Sequence, residues 1–162
     1  MALVDYFLKI DGIPGESADA KHPGEIDLMS FSWGETNSGT PGQGGGSGAG
    51  KVSAQDFAFV KKVDKASPVL FMKCATGEHI KSAIVTARKA GGKQEDYLIF
   101  KMSDVLISSY QTGGSAGSDI VPTEQFSIAF VKLELAYKEQ KADGSLGGEV
   151  KQGYDFKKSV KV

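Results

Sequence analysis

Residues 25–63 read EIDLMSFSWGETNSGTPGQGGGSGAGKVSAQDFAFVKKV, and this stretch decides how the rest of the chain is organised. Two runs of alternating apolar and polar residues, one ending at Trp33 and one starting at Gln55, flank a glycine-dense segment from Gly39 to Lys51. Alternation with a period of two predicts β-strands, and clustered glycines between such runs predict a loop. Long loops in compact domains often carry function, so residues 39–51 are a candidate contact segment.

Part of this loop comes close to a phosphate-binding pattern. Residues 45–52 read GGSGAGKV, one residue short of GxxxxGK[ST]. That pattern requires a strand before the loop, a helix after it and a final hydroxyl for magnesium. Val52 occupies the hydroxyl position, and Phe57 and Phe59 follow with the period of a strand. The sequence therefore favours a loop between two strands over a nucleotide site.

Composition limits the classes of function. The 162 residues fit one domain, 1–162, that can bury a core without metal or disulfide support. A net charge of −1 gives no basic footprint for nucleic acid or an anionic membrane. The apolar runs are too short to span a membrane, and Asp5 and Lys9 interrupt the N-terminal one. We therefore expect no nucleic acid partner, no membrane insertion and no signal peptide.

The apolar positions change phase inside several strand-like runs. The changes fall between Leu28 and Met29, across Ser103-Asp104, and between Phe130 and Val131. A phase change requires either burial on both faces or a β-bulge that bends the strand. Long bent strands favour a mainly β fold, a closed β-barrel of two bent antiparallel sheets.

Other strands and turns follow from the same signals. Alternation predicts strands at 4–10, 83–88 and 150–162, and glycine-containing pairs predict turns at 91–92, 113–114, 143–144 and 147–148. Together with the bent runs, these strands account for most of the chain.

One segment, residues 67–76, predicts a short flanking α-helix. Ser67 is a suitable N-cap, Pro68 is tolerated at the first helical position, and Gly77 can end the helix. Lys73 is its one charged residue, so the helix must be covered by the sheet or by another subunit. Leu70 and Met72 are therefore candidates for a subunit interface, with burial in the core as the alternative.

The residues that usually carry chemistry do not form a recognisable site. His22 and His79 lack metal-ligand spacing to each other or to Cys74, and Cys74 lies among apolar residues. Glu25 and Asp27 share a strand face, an arrangement more typical of a solvated edge than of an acid–base pair. We expect no metal, no cofactor and no enzymatic activity.

Several short motifs together resemble a known family. They are Ile26-Asp27 leading to Ser32-Trp33-Gly34, GGGSGAGK at 44–51, RKAGG at 88–92, YQTGGSAG at 110–117 and QKADG at 140–144. In this order and spacing, from Leu8 to Val160, they resemble the haemolysin-coregulated proteins, Hcp. Each motif is weak alone, and their order over nearly the whole chain makes the likeness specific.

The resemblance implies a barrel-like β fold with a flanking helix, and a structural role without catalysis. Six copies would form a ring, and rings would stack head to tail into the inner tube of the bacterial type VI secretion system. The partners would be the spike protein, the contractile sheath, the baseplate and small effector proteins held in the lumen. The protein would be cytoplasmic during assembly and then secreted without a signal peptide. Some family members carry a C-terminal toxin domain, whereas this sequence stops at Val162, so we expect the plain tube subunit.

The resemblance also assigns roles to candidate residues. Ser30 and Ser32 alternate with Phe31 and Trp33, so they are predicted to face the lumen, with ordinary solvent-facing serines as the alternative. Ring stacking is assigned to Gly42, Gly44, Gly45, Gly46, Ser47, Gly48, Gly50 and Lys51, with a surface loop that has no partner as the alternative. The rival to the whole interpretation is a monomeric β-barrel that binds a small ligand in its interior.

Overall fold

This computed structural model describes residues 4–39, 50–89, 94–117 and 121–162. Over these residues the protein has eleven strands and one helix: β1 (Val4–Ile10), β2 (Ile26–Leu28), β3 (Ser30–Ser32), β4 (Glu35–Asn37), β5 (Val52–Ala54), β6 (Phe57–Lys62), α1 (Ser67–Thr76), β7 (Ile80–Lys89), β8 (Asp96–Gly113), β9 (Thr123–Gln140), β10 (Leu146–Asp155) and β11 (Val160–Lys161). Each of the described strand pairs is antiparallel. The prediction of a mainly β fold with antiparallel sheets and one short helix is confirmed.

Nine strands form one sheet in the order β11-β10-β9-β8-β7-β1-β2, with β6 paired to β9 and β3 paired to β6. The long strand β9 pairs with β8 along one edge, and its other edge is shared by β6 over residues 123–128 and β10 over residues 132–140. The exchange of partners therefore lies between Ile128 and Lys132, around the predicted phase change at Phe130 and Val131.

The predicted closure into a barrel is not found among the described strand pairings. β2 pairs with β1, whereas β3 pairs with β6, and the ladder is interrupted between them at Met29. The predicted phase change does lie here, because Ile26 is buried before the break and Phe31 packs against the core after it. A strict phase change after Leu28 would turn Met29 inward with Phe31 and Trp33, but Met29 is half exposed at the point where the chain exchanges partners.

The third predicted phase change also occurs. Met102 and Val105 are both buried although they are three positions apart, which strict alternation would place on opposite faces, and Asp104 between them has φ 55°. Aspartate tolerates this left-handed conformation better than most residues, because its short side chain can hydrogen-bond locally. A single residue therefore switches which face of β8 points inward.

The core is built around a row of inward-facing aromatic residues. Phe31, Phe59, Phe126 and Tyr110 are register partners across β3, β6, β9 and β8. The rings of Phe59 and Phe126 stack with centroids 5.1 Å apart, a geometry that adds to area burial. Further buried apolar residues complete the core, among them Leu8, Ile10, Ile26, Leu70, Val85, Met102 and Ile128.

Helix α1 occupies the residues predicted for it, but its N-terminus is built differently. Ala66, not Ser67, is the N-cap, because Ser67 is already the first residue of the helix, and no side chain caps this end. The Ser67 hydroxyl accepts a hydrogen bond from the Asp64 N–H (3.0 Å). The Asp64 side chain in turn accepts the Ala66 N–H at 2.9 Å. At the other end Gly77 has φ 64° and donates its N–H to the Lys73 carbonyl (3.0 Å), as its position predicts.

The last predicted strand, 150–162, is instead a hairpin. β10 ends at Asp155, residues 156–159 turn, and β11 pairs back at Val160. The apolar alternation ran through the turn because Phe156 also points inward, where its ring lies 5.7 Å from that of Phe130. The turn predicted at residues 147–148 is likewise wrong, because both glycines lie inside β10 at a register shift.

Candidate functional site

The serines assigned to the lumen lie on an exposed strand face. Ser30 and Ser32 are exposed on β3, and between and beyond them Phe31 and Trp33 pack against the core. The Trp33 indole N–H donates to the Gln55 carbonyl at 2.9 Å, which fixes the end of this strand against the next segment. The alternation is therefore as expected, and the lumen role of the two serines stays a prediction.

The strand register extends this face over four neighbouring strands. Two rows of outward residues run across β3, β6, β9 and β8: Ser32, Ala58, Ser127 and Ser109 in one, and Ser30, Val60, Gln125 and Gln111 in the other. None of these side chains is ionisable. The two rows therefore form a small, neutral, mostly polar surface, named here the serine face. Sequence reasoning found only its β3 part, because strand pairing brings the rest together.

A β-bulge concentrates hydroxyl groups on the serine face. The register of β8 against β9 shifts between Ile107 and Ser109, so that Ser108 and Ser109 both reach Ser127. Their hydroxyl oxygens lie 2.7 Å and 2.5 Å from that of Ser127. The bulge turns two successive side chains toward one partner, an arrangement that strict alternation would prevent. A shallow groove of about 330 Å³ lies along these residues.

The helix presents an apolar stripe to solvent. Leu70 is fully buried in the core, whereas Phe71 is 55% exposed and Met72 is 54% exposed. With Pro68 and Ala75, which are also exposed, they occupy positions i, i+3, i+4 and i+7 of one helix face. Of the two interface candidates, Leu70 therefore belongs to the core, because it faces the sheet, and Met72 remains available for contact.

A buried charged network, which the sequence analysis missed, fixes this helix to the sheet. Lys61 forms ion pairs with Glu124 and Asp64, the latter at 2.6 Å, and also donates to the Ser67 hydroxyl at 3.2 Å. Tyr110 donates to Glu124, and the pKa of Tyr110 is raised to about 12, first by burial and then by this carboxylate. The sequence does contain a signal for this network, because Lys61 follows Phe57 and Phe59 at the period of two that turns residues of β6 toward the core.

A second polar cluster holds the segment between β1 and β2. His22 is buried, and its ring stacks on Phe7 with centroids 4.3 Å apart. On the other side of that phenylalanine, the Arg88 guanidinium lies 4.8 Å from the ring centre and pairs with Asp19. Hydrogen bonding to Arg88 holds the pKa of Asp19 far below its ordinary range. The cluster joins residues that are distant in sequence, so no local pattern pointed to it.

The base of the glycine loop is a small hairpin. β4 and β5 pair from Glu35 with Ala54 to Asn37 with Val52. The Asn37 side chain donates to the Gly50 carbonyl at 3.0 Å, and a Cβ at Gly50 would lie 2.1 Å from the Gly39 nitrogen. Gly50 is therefore required for this close approach. Of the stacking candidates, Gly50 and Lys51 are described, and Gly42, Gly44, Gly45, Gly46, Ser47 and Gly48 lie outside the described residues.

Within the described part of the chain, no group of three or more His, Cys, Asp and Glu side chains is placed to hold a metal ion. Cys74 is a half-buried free thiol on α1. Among the described residues, no helix is long and apolar enough to cross a membrane.

The chain was compared with known families and proteins. Residues 7–137 match the family described as "Type VI secretion system effector, Hcp". Protein hcp1 of Pseudomonas aeruginosa PAO1 is 46% identical over 161 residues, which cover 98% of this chain and 99% of that protein. The crystal structure of Hcp1 from Salmonella typhimurium is similar to this chain with a TM-score of 0.81 and 36% identity, and the match covers all of both chains. A type six secretion system protein has a TM-score of 0.93 at 28% identity, covering 99% of this chain and all of the other.

Proposed function

The chain belongs to the Hcp family of type VI secretion proteins, and from that premise we propose that it is a subunit of the secreted inner tube. The family is a structural secretion family rather than a known family of enzymes. In the proposal, six copies form a ring, rings stack head to tail, and the tube leaves the cell with the spike protein. The contractile sheath and the baseplate are the other partners. The subunit is cytoplasmic during assembly and is then exported.

The observation that carries the proposal is the serine face. A tube wall that cargo passes must not hold a protein by charge, because ion pairs between cargo and a multiply repeated wall would be strong and slow to release. Eight outward residues on four adjacent strands, Ser30 and Ser32 among them, contain no ionisable group. Small neutral side chains can hydrogen-bond a passing effector and release it. This face therefore suits the lumen.

Ring formation needs two different surfaces on each subunit, because neighbours in a cyclic ring contact each other through unlike patches. The stripe containing Phe71 and Met72 supplies one apolar surface. A second lies on β9 and β10, where Leu135, Tyr137 and Val150 are 38%, 45% and 65% exposed and Tyr137 is the register partner of Val150. In the proposal, the stripe of one subunit packs on this sheet patch of the next.

Two further features belong to the same proposal. The first is closure of the sheet into a barrel through residues 26–32, which the described strand pairings do not themselves contain. It is supported by the pairing of β2 with β1 and of β3 with β6, and by the Met29 N–H, which donates to the Val60 carbonyl at 2.8 Å. The second is head-to-tail stacking through residues 39–51, which lie between β4 and β5 in the sequence.

The rival function is a monomeric β-barrel that binds a small ligand. Light scattering of the purified full chain at micromolar concentration separates the two. A particle of about six subunit masses, which remains on tenfold dilution, supports the tube subunit. A monomer across the same range of concentration rejects it and favours the rival, which ligand-dependent shifts in thermal stability would then test.

A further inference from the structure

His22 lies between two carboxylates in the interior of the segment that joins β1 to β2. Its Nδ1 is 2.8 Å from a Glu25 oxygen, and its Nε2 is 3.0 Å from an Asp96 oxygen. One face of the ring is covered by Phe7, with planes only 11° from parallel. The imidazole is therefore fixed in place, with a carboxylate at each nitrogen.

This geometry favours the doubly protonated ring. A neutral imidazole has one N–H and one lone pair, so it can donate to only one of two carboxylates and presents its lone pair to the other. The imidazolium donates from both nitrogens, and each hydrogen bond is then assisted by charge. Loss of the proton removes one of the two bonds and leaves two carboxylates facing an uncharged ring.

Other charged groups surround His22 and its two carboxylates. Asp19, in the same segment, accepts the His22 backbone N–H at 3.1 Å. The Asp19 carboxylate also forms an ion pair with Arg88 of β7. The Lys21 ammonium donates to the Gln94 carbonyl at 3.1 Å. Further charged groups lie nearby among the described residues. Asp5 on β1 pairs with Arg88, and Asp27 of β2 lines a groove with Asp19 and Arg88. Lys9 of β1 lines a groove with Lys21 and Glu25, and Glu95 and Lys138 line the groove next to Asp96.

The two bonds of His22 connect separate parts of the fold. Glu25 immediately precedes β2, and its carbonyl accepts the Ser17 N–H at 2.9 Å, whereas Asp96 begins β8. We propose that protonated His22 is a clamp that fastens segment 11–25 to the start of β8, and that deprotonation releases this segment. The clamp is a property of the subunit, so it can hold or fail independently of the tube assignment.

The direction of the pH effect follows from the surroundings of the ring. Burial alone would lower the pKa of His22, but the hydrogen bonds to Asp96 and Glu25 outweigh burial and raise it above the ordinary value of about 6.5. A raised pKa in the folded state means that the clamp contributes its full stability below about pH 6.5. That contribution is lost as the pH rises through the folded-state pKa.

Urea unfolding of the full chain at pH 5.5, 7.0 and 8.5, at one protein concentration, tests the proposal. The urea concentration at the unfolding midpoint of the wild type should be lower at pH 8.5 than at pH 5.5, and His22→Gln should remove most of that fall. The matched control is His79→Gln, since His79 pairs with Asp104 on the surface and its replacement should leave the fall unchanged. A fall that persists in His22→Gln overturns the clamp.

A local measurement keeps the test decisive if His22→Gln does not fold. Peptides covering residues 11–25 should exchange their amide hydrogens more slowly at pH 5.5 than at pH 8.5, after correction for intrinsic rates. In an NMR titration, His22 should titrate above pH 6.5, and Asp96→Asn should move that titration to lower pH. Titration of the wild-type ring at or below pH 6.5, or protection that does not change, rejects the proposal.

Discussion

Lys61 and Glu124 form an ion pair between β6 and β9 in which neither side chain is exposed to solvent. The pair is surrounded by further hydrogen bonds, because Ser67 at the start of α1 donates to Glu124 at 2.7 Å and Tyr110 of β8 donates to the other carboxylate oxygen. A buried charge is tolerated only when it is paired and hydrogen-bonded. The position of α1, and with it the apolar stripe, therefore depends on this network.

Breaking the pair on one side should be costly. Lys61→Met leaves Glu124 charged in the core and should lower the free energy of unfolding by about 3–5 kcal/mol. The double variant with Glu124→Leu removes both charges and should recover most of that loss. Urea denaturation of the wild type, both single variants and the double variant gives the coupling energy. Losses that simply add in the double variant would show that the two charges do not depend on each other.

The two faces of α1 should respond differently to substitution. Leu70→Ala opens a cavity in the core and should cost about 2–5 kcal/mol of unfolding free energy. Met72→Asp changes an exposed residue and should leave the subunit folded while dissociating the ring, because it places a charge in an apolar contact. Circular dichroism and light scattering check the two results.

The proposed receiving patch gives a second arm to this experiment. Val150→Asp on β10 should dissociate rings as Met72→Asp does, and Val121→Asp is the matched control, since Val121 is 49% exposed and outside both patches. Intact rings in both Met72→Asp and Val150→Asp would remove these surfaces from the interface.

The sequence predicted features that depend on local periodicity. It placed the helix from Pro68 in its first turn and Gly77 just after its end, and it placed the phase change at Ser103-Asp104, where the φ of Asp104 is indeed left-handed. It assigned Lys61 no role, although the inward phase of Phe57 and Phe59 already placed that residue in the core. A charged residue at an inward position of a predicted strand therefore indicates a buried ion pair.

Other features depend on contacts between distant residues and have no local pattern. Asp96 is 74 residues from His22, and Arg88 is 69 residues from Asp19. The serine face shows the same limit, because Ser30 and Ser32 could be assigned from alternation, whereas Ser109 and Ser127 join them only through strand register. The hairpin at the C-terminus was missed since Phe156 keeps the apolar alternation while the backbone turns.

The serine face gives a prediction about cargo. Ser32→Gln adds a longer side chain to an exposed strand position, so the ring should assemble normally. The larger amide should occupy the space that a held effector needs and lower its retention by about tenfold, which corresponds to about 1.4 kcal/mol. Co-purification of an effector with the ring measures this. Ser53→Gln on β5 is the control, since Ser53 is exposed outside the serine face, and equal retention by the two variants would contradict the lumen assignment.

The last prediction concerns the glycine loop. Glycine loses more conformational freedom on ordering than any other residue, so a contact made by this loop should be weak, as suits a tube that must come apart after delivery. Deletion of residues 42–48 keeps Gly50 and the paired strands β4 and β5, so rings should remain intact by light scattering. The same variant should fail to form tubes by electron microscopy and fail to deliver effectors. Gly50→Ala is a different kind of change, because its Cβ would meet the Gly39 backbone and disturb the hairpin itself. Normal tubes from the deletion variant would show that stacking does not use this loop.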